Sequence, residues 1–231
     1  MANKIEIQET LITIFGLLRE YYGAQNWWPS ESKFETIVGS ILTQNTAWRN
    51  AEYAINNLKA SRLMSPEAIR KIDESSLAEI IRPSGYYKSK AVKLKAICKY
   101  IKLYDDRIEI WENMNPAELR NELLEVYGVG PETADAIVLY VANLPTFVID
   151  TYTQRIITRV LPNLKLNKYT EFKSFFENHL PQNAQLFNEY HALLDTHAKE
   201  TCHKNNPDCN KCPLNRICQS SSNYHSRMRN A

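Results

Sequence analysis

The feature that most restricts this chain is the run from residue 123 to 155, LLEVYGVGPETADAIVLYVANLPTFVIDTYTQR. Apolar residues recur at helical spacing up to Tyr127, stop at Gly128-Val129-Gly130 and resume at Pro131. Two helices are therefore joined by a turn of hardly any length. Such a turn needs positive φ, which glycine supplies without a Cβ clash. Pro131 suits the first position of the second helix, where a missing N–H costs nothing. A short loop then brings Ile149-Asp150-Thr151 to the start of a third helix. The glycine backbone and the free N–H groups of the following helix offer a place for an anion, a DNA phosphate among them. The same residues also make an ordinary turn between helices. Asp150 is open to two readings as well, a helix N-cap or a functional carboxylate.

Helical spacing recurs at 5–18, 34–42, 51–58, 91–101, 116–127, 131–141, 152–160 and 189–197. Alternating runs are short, and six glycines in 231 residues are too few for a fold built on many tight turns. The expectation is an all-α protein of one or two small domains. No apolar stretch approaches the roughly 18 residues of a membrane span. The opening MANKIEIQET lacks a signal-peptide pattern, so a cytoplasmic protein is expected. A net charge of +2 is too small to establish a nucleic-acid partner by itself.

Four of the five cysteines crowd the C-terminal end as Cys202-x6-Cys209-x2-Cys212-x5-Cys218. Thiols at this density in a reducing compartment point to metal rather than disulfides. Four thiolates suit zinc or a cubane iron–sulfur cluster, and spacing does not choose between them. Cys98 lies among apolar positions and reads as a buried, inert thiol.

GVGPETADAIVLYV followed by VIDTY resembles the helix-hairpin-helix DNA glycosylases of the endonuclease III superfamily, over about residues 20–218. The 6-2-5 cysteine spacing matches that superfamily's cluster loop, and His197-Ala198-Lys199-Glu200-Thr201-Cys202 resembles its HGRxxC lead-in. The resemblance implies a six-helix barrel-like domain with the hairpin over residues 30–143. It implies a second helical domain, residues 1–29 and 144–218, with a [4Fe–4S] cluster on Cys202, Cys209, Cys212 and Cys218. Residues 219–231 would be a flexible tail. The implied partner is double-stranded DNA with a damaged base flipped out, bound by a monomer. Gly128, Val129, Gly130 and Thr133 would meet the DNA, and Gln44 would fill the gap left by the extruded nucleotide. Asp150 falls at the family's catalytic aspartate. The cluster's implied role is structural: it shapes a loop bearing His203, Lys204, Lys211 and Arg216 toward phosphates.

Trp27-Trp28-Pro29, Leu42-Thr43-Gln44-Asn45-Thr46 and Arg82-Pro83-Ser84-Gly85-Tyr86-Tyr87 together resemble the monofunctional 3-methyladenine glycosylases. In that branch, aromatic rings at the positions of Trp28 and Trp48 sandwich the base. Trp27, Glu132 and Lys199 complete the expected pocket, although Trp27 and Trp28 also read as plain packing. Bifunctional members carry a lysine at position 132 that forms a Schiff base with the sugar. Glutamate cannot do so, which implies base removal by water, with lyase activity absent or weak. A base methylated at purine N3 or N7 is already cationic and leaves readily. It needs an electron-rich pocket and a carboxylate beside the forming sugar cation. Glu132 also suits the first turn of any helix. Two other readings stand: a glycosylase for mismatched or oxidised bases, and a non-catalytic iron–sulfur DNA-binding protein. Lys88, Lys90, Lys93, Lys95, Lys99 and Lys102 form a basic run that either faces phosphate or is a solvated helix face.

Overall fold

The computed structural model describes residues 4–221. Among them the regular structure is helical: α1 (Lys4–Tyr22), α2 (Lys33–Leu42), α3 (Trp48–Ala60), α4 (Pro66–Lys71), α5 (Glu74–Ile80), α6 (Tyr87–Lys102), α7 (Pro116–Leu124), α8 (Pro131–Tyr140), α9 (Thr151–Val160), α10 (Tyr169–His179) and α11 (Ala184–Glu200). Short 3-10 turns occupy Arg82–Ser84 and Ile108–Asn113. No helix among the described residues is long and apolar enough to cross a membrane. The chain divides into two compact units, Trp28–Pro145 and the segment through Trp27 together with the chain from Thr146 onward.

The unit Trp28–Pro145 holds α2 to α8. Helix α2 is buried on every side except at Lys33. Its apolar residues Ile37, Val38, Ile41 and Leu42 pack with Leu94 and Ile97 of α6 and Ile137 and Val138 of α8. Ser32 caps its first turn by accepting the Glu35 N–H. Helices α4 and α5 were not foreseen. They bury only Ile69, and Leu77 with Ala78, so neither shows a full apolar period. Their starts carry the local signals instead: Ser65 before Pro66, and Asp73 accepting the Ser76 N–H. Helix α7 stops three residues short of the expected Tyr127, because Val126 and Val129 already turn the chain through N–H bonds to Leu123 and Val126 carbonyls.

The other unit holds α1, α9, α10 and α11. Helix α11 is its central element and packs against α1 and α9. Phe147 stacks on Phe176 of α10 at 3.9 Å, and Tyr190 of α11 donates its hydroxyl to the Leu11 carbonyl of α1 at 2.8 Å. Helix α10 was missed although Phe172, Phe175 and Phe176 stand at helical spacing on its buried side. The Gln219 and Ser220 N–H groups bond the Val160 and Arg159 carbonyls. The start of the expected tail is therefore pinned through Ser221, and its remaining residues, 222–231, lie outside the described residues.

Candidate active site and cysteine loop

Of the two hairpin glycines, only Gly128 needs its missing side chain for conformation. Its φ is +83°, and a Cβ there would meet Lys93 Cγ at 2.2 Å. Gly130 has φ −93° as the N-cap of α8, and a Cβ built there finds nothing within 4 Å. The expectation of positive φ at both positions is thus corrected: Gly130 leaves bare, open backbone at a helix N-terminus. Val129 is only 6% exposed, so its side chain belongs to the core and only its backbone is left for an outside partner.

Gln44 lies down on this hairpin. Its amide donates to the Gly128 carbonyl at 3.1 Å and to Thr133 Oγ1 at 3.0 Å, and its Oε1 accepts from Lys93 Nζ at 2.6 Å. Gln44, Gly128, Thr133 and Lys93 therefore form one polar group on the α8 end of the turn. Glu132 is exposed in the first turn of α8, where the helix dipole favours an acid.

The lysine run divides by role. Lys88, Lys99 and Lys102 are exposed. Lys90 is buried, 1% exposed, and its ammonium donates to the Leu42 carbonyl, Thr46 Oγ1 and the Ser84 carbonyl at 2.8, 2.9 and 2.6 Å. Three acceptors match its three donors. Burial, with Lys93 nearby, lowers its pKa to about 8. Lys95 donates to the Ile69, Arg70 and Ile72 carbonyls at the end of α4. A phosphate-facing role for Lys90 and Lys95 is overturned, since both ammonium groups are consumed inside the unit.

Trp28 meets Trp48 edge-on, with centroids 5.6 Å apart and planes at 77°, and leans on Tyr140 at 5.4 Å. Gly39 of α2 makes room for the Trp28 ring, since a Cβ there would lie 3.2 Å from it. As they stand, Trp28 and Trp48 are not the parallel walls that a sandwiched base needs. Tyr140 is a third member of this cluster that the sequence reading passed over. In the other unit, the Lys199 amine sits 5.8 Å from the centre of the Trp27 ring and pairs with Asp195 at 2.6 Å.

Asp150 does two things at once. One oxygen, Oδ1, accepts the Thr153 N–H at 2.7 Å and caps α9. The other, Oδ2, stands 3.8 Å from His191 Nε2 of α11. The helix cap fixes the carboxylate's direction without using its second oxygen. His191, 8% exposed, was not foreseen; its signal was a polar side chain on the stripe of Phe187, Tyr190 and Leu194.

All four C-terminal cysteines line one pocket, with Ile156, Val160 and Leu214 as its apolar wall. Among the described residues, no three His, Cys, Asp or Glu side chains converge on a point that could hold a single ion. Burial, then the neighbouring sulfurs, raises the Cys209 thiol, and burial pushes Cys212 up to about 12. Arg159 donates to Cys202 Sγ at 3.2 Å and to the His203 and Lys204 carbonyls at 2.7 and 2.9 Å. His197 Nε2 lies 3.7 Å from Cys212 Sγ, and its Nδ1 lies 3.0 Å from the Tyr22 hydroxyl, itself 2.7 Å from Thr201 Oγ1. Burial lowers the His197 pKa to about 4 and raises that of Tyr22 to about 12. His203, Lys204, Lys211 and Arg216 are exposed on the same loop. Cys98 is fully buried, and burial raises its thiol to about 12.

The hairpin, the capping aspartate and the cysteine loop together define a helical DNA-repair class, and sequence comparison bears this out. Residues 38–182 match the model of the HhH-GPD superfamily base excision DNA repair proteins, and the chain belongs to that family. A protein of Methanocaldococcus jannaschii that carries the provisional name DNA repair glycosylase is 44% identical, over 94% of this chain and 98% of its own. The endonuclease III of Sulfolobus acidocaldarius is 30% identical over 80% of this chain and 81% of its own. Among solved structures, the H. pylori 3-methyladenine DNA glycosylase bound to 1,N6-ethenoadenine superposes with a TM-score of 0.69 at 26% identity, covering 86% of this chain and 98% of that one. An endonuclease III–DNA complex superposes with a TM-score of 0.79 at 20% identity, over 99% of this chain and 100% of that one, which shows the shared fold. The chain is a DNA glycosylase of base excision repair.

Proposed function

We propose that this glycosylase is monofunctional and removes alkylated purines from double-stranded DNA, 3-methyladenine first and 7-methylguanine second. The observation that carries the reading is Asp150: a carboxylate aimed by its own helix cap, whose second oxygen lies outside the cap, 3.8 Å from His191 Nε2. As the N-glycosidic bond lengthens, positive charge builds on the deoxyribose, and a fixed anion stabilises it without reorganising. The same oxygen can orient the attacking water. A base methylated at N3 or N7 departs without a proton donor, so this arrangement suffices for it. The ring group Trp28, Trp48 and Tyr140, and the ring of Trp27 beside Lys199, supply π faces of the kind that hold such a base. Glu132 stands where Schiff-base members of the family carry lysine, and a carboxylate leaves the strand uncut. Gln44, Gly128, Val129, Gly130 and Thr133 make the DNA-binding edge, with the open backbone of Gly130 for phosphate. The named activity of the H. pylori neighbour supports the substrate class.

In this reading Cys202, Cys209, Cys212 and Cys218 hold a [4Fe–4S] cluster. Thiols that ring a pocket suit a cubane, which is wider than one ion, and the apolar wall suits its shielding. When bound, it supplies structural cross-linking of the loop that carries His203, Lys204, Lys211 and Arg216. The endonuclease III relatives favour a second reading, a glycosylase for mismatched or oxidised bases.

The test is chromatography of bases released from methylated DNA, beside a panel of duplexes with mismatched and oxidised bases. Free 3-methyladenine with uncut strands is the expected result. Release from the mismatch or oxidised panel alone would transfer the assignment to the second reading.

A further inference from the structure

We propose that Thr201, Tyr22 and His197 form a one-way hydrogen-bond chain ending on Cys212, which stabilises the reduced state of the iron–sulfur cluster and slows its loss. The inference rests on the cluster reading above.

The geometry consists of three links, Thr201 Oγ1 to Tyr22 OH at 2.7 Å, Tyr22 OH to His197 Nδ1 at 3.0 Å, and His197 Nε2 to Cys212 Sγ at 3.7 Å. The direction follows from the last atom. A sulfur bound to iron is a thiolate and can only accept, so Nε2 must carry the proton. In a neutral ring Nδ1 is then an acceptor, and the Tyr22 hydroxyl donates to it. Tyr22 has spent its proton and takes one from Thr201. Every donor has one acceptor along the path. His197 is 1% exposed and Thr201 is 5% exposed, and Tyr22 between them is half-buried.

The chain also spans the sequence. Tyr22 is the last residue of α1, while His197 belongs to α11 and Cys212 to the loop beyond it. The N-terminal helix is thus tied to a sulfur through one imidazole. Around the pocket the polar support is uneven: Cys202 receives the cationic Arg159, and Cys212 receives the neutral His197. An N–H donor to a cluster sulfur favours the more negative, reduced cluster and raises its potential. Groups that orient metal ligands also govern how firmly the metal is held.

The test compares the anaerobically purified full chain with His197→Leu, His197→Gln and Tyr22→Phe. Iron and acid-labile sulfide per chain are measured first, then the midpoint potential by redox titration, then the decay of visible cluster absorbance in air with chelator. His197→Leu should lower the potential and speed decay about tenfold. His197→Gln can place an amide N–H near the sulfur and should recover most of both. Tyr22→Phe keeps the ring and should fall between wild type and His197→Leu. Should His197→Leu load fully and keep the wild-type potential and decay, the chain of bonds has no such role. Should His197→Leu fail to load, Tyr22→Phe decides alone, and wild-type behaviour there overturns the proposal. Zinc in place of iron in the wild-type protein would overturn the cluster reading itself, a separate outcome from either of these.

Discussion

Two helices begin 20 residues apart in this molecule, and their N-termini are finished in opposite ways. Helix α8 starts at Gly130, which has no side chain to cap it, and a Cβ built there meets only open space. Helix α9 starts at Asp150, whose carboxylate already fills the corresponding place. Both ends carry the same partial positive charge. One has no capping side chain, and the other holds an anion of its own, fixed by the cap. In the proposed function a single backbone property serves binding in one unit and catalysis in the other.

The strongest way to break this contrast is Asp150→Asn. Asparagine caps a helix as well as aspartate does, so thermal stability should hardly move. Base release should fall about 100- to 1000-fold, because only the charge is gone. A variant that keeps normal turnover removes Asp150 from the reaction. At the other helix start, Gly128→Ala should cost about 1–2 kcal/mol in denaturant unfolding, because its φ of +83° is a left-handed conformation. Lys93 would also have to move. Gly130→Ala is the sharper probe. Its stability should stay within about 0.5 kcal/mol of wild type, while affinity for abasic-site DNA falls. Equal loss of stability at Gly128 and Gly130 would mean that Gly130 is needed by the fold and not by a partner.

Glu132→Lys places an amine where Schiff-base enzymes of the family have theirs. Borohydride treatment with abasic DNA should trap a covalent adduct for the variant and none for wild type. Trapping by the wild-type chain would show that another amine does the work and that the enzyme is a lyase after all. The smallest effect concerns Lys90. Its pKa in the fold is lowered to about 8 from 10.5. Below pH 8 both folded and unfolded chains hold the proton. Between about pH 8 and 10.5 the unfolded chain binds a proton that the fold excludes, so this group makes stability rise with pH. Lys90→Met should abolish that rise, read as the difference between the two chains' unfolding free energies across the window.

What could be read from the residues was whatever repeats or has fixed spacing. The hairpin announced itself by an interrupted apolar period, and the cysteine loop by its intervals. Asp150 was legible as a cap or as a functional carboxylate; the cap is present, and it leaves Oδ2 outside it. Lys90 was misread because it was counted with a charge run, although it lies on the stripe of Leu94, Ile97 and Ile101. His191 and Tyr140 were missed for a different reason. Each matters through a partner distant in sequence, Asp150 and Trp28 respectively, and no local pattern encodes such a meeting. Helices α4 and α5 were too short to show a period at all.

The burial of Cys98 gives this protein a built-in occupancy gauge. Four of its sulfurs share a pocket near the surface and are half-buried, and the fifth is sealed in the other unit with no exposed surface for a reagent to reach. A mild alkylating reagent therefore reads the terminal pocket alone. The tally of labelled thiols by intact mass should fall from four toward zero as that pocket fills, with no correction for the one that never answers.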